Sequence, residues 1–97
     1  MFARLTRFQV KLEKIEKAER IFEESIIPAA KTQKGFLHAY LLNNPKTGES
    51  VSITFWNTEN DAVANEKNHY YQEQMVKLLD FISFGPVREG YEVKVDE

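Results

Sequence analysis

Four side chains in this sequence could serve a ligand cavity with aromatic walls and a few polar groups: Arg4, His38, Tyr40 and Trp56. A histidine near its reference pKa of ~6.5 can exchange protons at neutral pH. An arginine holds an anion with a charge that does not titrate, and tyrosine and tryptophan offer flat apolar surface with a polar tip. His38 and Tyr40 are two apart and share one face if the chain is a strand there. Arg4, Thr6, Phe8, Thr54 and Trp56 fall on corresponding positions of two other candidate strands. His38 and Arg4 are the candidate acid–base and anion-stabilising groups. Trp56, Tyr40, Thr54, Thr6 and Phe8 are the candidate substrate contacts, and Tyr70 is placed at the mouth. The alternatives at these positions are structural: dimer-interface packing for Trp56, a satisfied structural histidine for His38, and pairing with Glu92 for Arg4.

Other chemistries are absent from the sequence. There is no cysteine, which removes disulfides, thiolate metal sites and cysteine nucleophiles. No metal-ligand spacing, Gly-rich phosphate loop or serine nucleophile elbow occurs. Thirteen basic against fifteen acidic residues give a net charge of −2, unlike the basic excess of nucleic-acid binders. The longest apolar run, Ile26–Ala30, is too short for a membrane span, and the N-terminus has no signal-peptide core. A cytoplasmic protein is the expectation.

The elements that must position these residues follow from periodicity. Phe2–Val10 alternates as a strand. Lys11–Lys31 takes a helical period, with Leu12, Ile15, Phe22, Ile26 and Ala29 on one stripe and charges opposite. Pro28 predicts a bend or an end about one turn later. Phe36–Asn43 and Ser50–Trp56 form a hairpin across Asn44–Glu49. Thr58 opens a short helix, with a break at Asn68 and a longer helix to about Ile82. Gly85-Pro86 precedes a last strand, Val87–Val95.

The order is β-α-β-β-α-β in a single domain, 1–97. It predicts an α+β, ferredoxin-like antiparallel sheet with both helices on one face. By side-chain parity Ala3, Leu5, Leu37, Ala39, Leu41, Val51, Ile53 and Phe55 meet the helices. The open face then carries Phe2, Arg4, Thr6, Phe8, Phe36, His38, Tyr40, Leu42, Ser52, Thr54 and Trp56. Such a face calls for cover by a second copy, by a small aromatic ligand, or by both.

The strings KGFLHAYLLNNPKTGESVSITFW (34–56), NHYYQEQMVKLL (68–79) and IIPAAK (26–31) resemble the antibiotic biosynthesis monooxygenase family, over nearly the whole chain. The resemblance implies a dimeric α+β barrel made by two sheets packed face to face. It also implies oxygenation of anthrone- or quinol-like substrates with molecular oxygen and neither metal nor flavin, so no cofactor is expected. Some relatives instead degrade haem, using an Asn on the first strand, a Trp ending the third and a His on the second helix. Here the first strand has no Asn. A non-catalytic dimeric domain that binds a small molecule is the other alternative.

Overall fold

The computed structural model describes the backbone of residues 1–97 and the side-chain environment of all but residues 84 and 85. Four strands, β1 (Phe2–Val10), β2 (Phe36–Asn43), β3 (Glu49–Trp56) and β4 (Ile82–Glu92), form one antiparallel sheet in the order β2-β3-β1-β4. Two helical segments separate β1 from β2 and β3 from β4, and their apolar sides cover one face of the sheet. This is the ferredoxin-like arrangement.

The first helical segment begins with a 3-10 turn (Leu12–Lys14) and continues as α1 (Ile15–Ile21), a π-helical stretch (Phe22–Ile26) and α2 (Ile27–Lys31). Pro28 brings no N–H to the helical ladder, and the helix widens just before it: the Ile27 N–H reaches back five residues to the Phe22 carbonyl. The segment ends one turn past the proline. Ile15, Ala18, Phe22, Ile26 and Ala29 point into the core, whereas Leu12, expected on that stripe, lies outside it in the 3-10 lead-in.

The second segment is broken where asparagine stands at 68. There α3 (Glu59–Lys67) gives way to α4 (His69–Val76). Thr58 and Asn68 each cap a new helix, accepting from Asp61 N at 3.1 Å and from Tyr71 N at 2.9 Å. The helix expected to reach Ile82 stops at Val76, and a 3-10 turn at Leu79–Phe81 leads straight into β4. β4 therefore begins earlier than expected and takes in Pro86. Its pairing with β1 shifts register between Arg7 and Val10, so the proline falls at an irregularity of the ladder.

The parity of two strands is the reverse of the expectation. Phe2, Phe8, Val10 and Trp56 lie in the core against the helices, with Arg4, Thr6, Ser50, Ser52 and Thr54 on the same side. Ala3, Leu5 and Arg7 of β1 and Val51, Ile53 and Phe55 of β3 face outward. In β2 a bulge sets Phe36 opposite Trp56 but His38 opposite Phe55. Phe36 and Leu41 therefore pack inward, while His38, Tyr40 and Leu42 point outward.

Candidate active site: a two-part cavity between sheet and helices

The inner face of the sheet carries two separate apolar clusters. Phe8, Val10, Ala18, Phe22, Ile26 and Leu78 form one, and Phe2, Ala30, Trp56 and Ala62 the other. Between them β1 and β3 present Arg4, Thr6, Ser52 and Thr54. Apolar clusters at both ends hold the helices off a middle row in which Thr6, Ser52 and Thr54 are too short to fill the gap.

Two adjoining cavities occupy it. The outer one, about 370 Å³, is walled largely by apolar side chains, among them Phe8, Met75, Val76, Leu78, Leu79, Ile82 and Pro86. The inner one is a constriction of about 10 Å³, the room of roughly one water molecule. Its walls are Arg4, Thr6, Ser52, Thr54, Trp56, Ala62, Asn65, Glu66, Tyr71, Met75 and Arg88. Thr6, Glu66, Tyr71, Met75 and Arg88 border both, so the inner chamber opens into the outer.

Arg4, Arg88 and Glu66 are the charged walls of the inner chamber. Arg4 Nε lies 2.5 Å from Glu66 Oε1, yet neither atom completes a hydrogen bond, because the N–H does not point along the contact. The pair is thus a charge contact with buried donor and acceptor capacity left over. The Arg4 guanidinium stacks over Phe2, 5.3 Å from the ring centre. It fits because position 90 of β4 is glycine: a Cβ there would lie 2.5 Å from Phe2 Cζ and 3.0 Å from an Arg4 terminal nitrogen.

Tyr71 packs against both clusters. Burial raises its phenol above the usual range, and Glu66 adds to the rise. The Asn65 side chain and the Arg88 charge pull the other way, Asn65 more strongly. Asn65 Oδ1 is itself buried without a hydrogen-bond partner. Trp56, 1% exposed, donates from Nε1 to Thr54 Oγ1 at 2.9 Å and meets Phe36 edge-on.

Of the residues singled out from the sequence, Arg4, Thr6, Phe8, Thr54 and Trp56 meet at this cavity system, on the helix-covered face rather than the open one. Trp56 is a wall of the inner chamber packed among core side chains. Arg4 pairs with Glu66 and not with Glu92. His38 and Tyr40 do not join them. They sit on the opposite face, rings 4.6 Å apart, because the bulge in β2 turns them outward. Tyr70 points to solvent, and its neighbour Tyr71 enters the cavity instead. Asn65, Glu66 and Arg88 were missed altogether. The one available signal was the weak amphipathicity of Glu59–Lys67, where polar residues lie on the side facing the sheet.

Among the described residues no three His, Asp or Glu side chains gather as a metal-ligand set, and no helix is long and apolar enough to cross a membrane. Neither histidine lines the cavities, so the residues present do not fit a haem held by histidine.

Fold and site together define a ferredoxin-like α+β domain with a two-part cavity between its sheet and its helices. The family model for antibiotic biosynthesis monooxygenases matches residues 1–76, and the chain belongs to that family. Among curated proteins none matches the sequence. Solved structures share the fold at low identity. SnoaB from Streptomyces nogalater, a cofactor-independent oxygenase, superposes with a TM-score of 0.80 at 14% identity, covering 98% of this chain and 94% of its own. Rv0793 from Mycobacterium tuberculosis gives 0.76 at 14%, covering 99% and 96%. A conserved protein from Methanosarcina mazei Go1 gives 0.82 at 14%, covering 96% and 92%.

Proposed function

We propose that this protein is a cofactor-independent monooxygenase acting on a small phenol- or quinol-like aromatic. The observation that carries the proposal is the two-part cavity, an apolar outer space for rings leading to a polar chamber with room for a single oxygen substituent. Once deprotonated, an electron-rich phenol can itself pass an electron to molecular oxygen. The protein then has to bind it, remove the proton and stabilise the oxyanion. Arg4 and Arg88 supply the charge, while the neutral Tyr71 hydroxyl supplies a hydrogen bond to the oxyanion. Family membership and the fold shared with SnoaB, itself a cofactor-independent oxygenase, support the proposal.

The test is oxygen uptake by purified protein with a panel of anthrones and hydroquinones. Turnover by the wild type that falls at least tenfold in Arg4→Met is expected. Uptake no faster than in buffer across the panel would leave the alternative, a non-catalytic binding domain. The Arg4–Glu66 contact across the narrow inner chamber is the feature that favours that second reading.

The working unit in this proposal is a homodimer through the open face of the sheet. There Tyr40, Leu42, Val87 and Tyr91 are each about half exposed, around Leu5, Val51, Ile53 and Phe55. A patch of this composition is unusual on a soluble monomer. A mass measurement in solution should give twice the chain mass at micromolar concentration, and Tyr40→Glu should halve it. A monomer at every micromolar concentration would rule the dimer out.

A further inference from the structure

We propose that Glu66 is the proton acceptor of this cavity, taking the proton of a phenolic ligand while Arg4 passes from the carboxylate to the new oxyanion. The inference rests on the proposed function, in that it takes the cavity's ligand to be a phenol. It starts from an inventory of the walls. A proton acceptor for neutral pH must be a carboxylate, an imidazole or a phenol of depressed pKa. Neither histidine lines either cavity, and Tyr71 is pushed the wrong way to serve as a base. Among the described lining residues Glu66 is the one carboxylate, and it borders both cavities.

Its geometry suits the task. Glu66 lies in the last turn of α3, with its Oε1 buried, in contact with Arg4 and free of any aligned hydrogen bond. That oxygen keeps a lone pair for an O–H entering the inner chamber. The charged and titratable groups facing it are Arg4 from β1, Arg88 from β4 and Tyr71 from α4. In the transfer the ligand O–H bond breaks and an O–H bond forms at the carboxylate. The electron pair stays on the ligand oxygen. The chamber's net charge does not change: one anion replaces another beside the same two arginines. A neutral ligand therefore enters without adding a buried charge, which would be costly.

The experiment counts protons. The probe is 4-nitrophenol, whose phenolate absorbs in the visible, used at a pH below its own ionisation range. Calorimetric titration in two buffers of different ionisation enthalpy gives the protons released per probe bound, and absorbance gives the probe's ionised fraction. For the wild type the expected result is bound phenolate with no proton released, together with a carboxylic acid C=O band in the infrared difference spectrum. In Glu66→Gln the band disappears, and the bound probe is either neutral or ionised with one proton released to buffer. Bound phenolate with a full proton released by the wild type would overturn the proposal without recourse to any variant. So would an ionised probe bound to Glu66→Gln with no proton released, since the proton would then have gone to another group of the protein. A wild type that does not bind the probe at all fails earlier, at the phenol site itself, and takes the proposal with it.

Discussion

Gly90 sits where the second apolar cluster meets the ion pair, so Gly90→Ala sets two opposed effects against each other. Its backbone lies outside the left-handed region, so alanine can adopt it without strain. The loss of unfolded-state freedom alone would then stabilise the protein by ~0.4–1 kcal/mol. Against this, the new methyl would stand 2.5 Å from Phe2 Cζ and 3.0 Å from an Arg4 terminal nitrogen. Arg4 is a long side chain and can swing away. Phe2 cannot, being 4% exposed and packed against Trp56, Ala30 and Ala62. Overpacking of a closed core costs ~1–3 kcal/mol, so the clash wins by about 1–2 kcal/mol. At ~4–8 °C per kcal/mol for a domain of this size, the midpoint should fall by roughly 5–15 °C. Thermal and urea unfolding at one fixed protein concentration measures it. Phe2→Leu removes the offending carbon, so the double variant should lose less than the sum of the singles, with a coupling of ~0.5–3 kcal/mol. A Gly90→Ala protein as stable as the wild type, or strict additivity with Phe2→Leu, would refute the assigned packing.

Three further outcomes are expected. Asn68→Ala removes the cap that lets α4 begin one residue after α3 ends, and should cost ~0.5–2 kcal/mol in urea unfolding. Glu89 is held below the usual carboxylate range, first by the hydrogen bond from Arg7 and then by that from Tyr91. Its contribution is present above the unfolded value of ~4.3 and lost as pH falls through the lower folded value, so Glu89→Gln should flatten the acid limb of the stability profile. Tyr71 is raised by burial, and its contribution holds below the unfolded value of ~10 and is lost as pH climbs through the folded one. Tyr71→Phe should therefore remove part of the alkaline loss of stability.

The order of elements, the hairpin at Asn44–Glu49 and the break at Asn68 were legible because each rests on local signals of period, turn residues and caps. Parity was not. In β1 the large apolar residues Phe2 and Phe8 share their side with Arg4 and Thr6, and the polar pair made that side look solvent-facing. Those polar residues point at a cavity, which a rule of apolar-in and polar-out cannot distinguish from water. In β2 the bulge before His38 left no mark in composition, yet it alone separates His38 and Tyr40 from Trp56. Asn65 and Glu66 were hidden for a related reason. A helix whose inner side meets a polar chamber shows little amphipathicity, so Glu59–Lys67 offered no clear stripe to mark its inner side.

The same logic implies that the middle row of the sheet gives up stability for the site. Thr6 lines both cavities, opposite Ser52 on β3 and Arg88 on β4, between the two clusters. If its hydroxyl serves a ligand, replacing it with valine leaves no buried protein group unpaired. The swap adds apolar surface next to Phe8. Thr6→Val should then be neutral or stabilising, by up to ~1 kcal/mol, as substitutions at functional positions often are. Binding of a phenolic probe should weaken at the same time, because a polar wall of the inner chamber is gone. If the hydroxyl instead completes the fold, the same change strands a buried partner and costs ~1–3 kcal/mol. Urea unfolding and probe titration on one sample of Thr6→Val separate the two cases. A loss of stability with unchanged binding would mean that the polar row between the clusters is a piece of core and no part of a site.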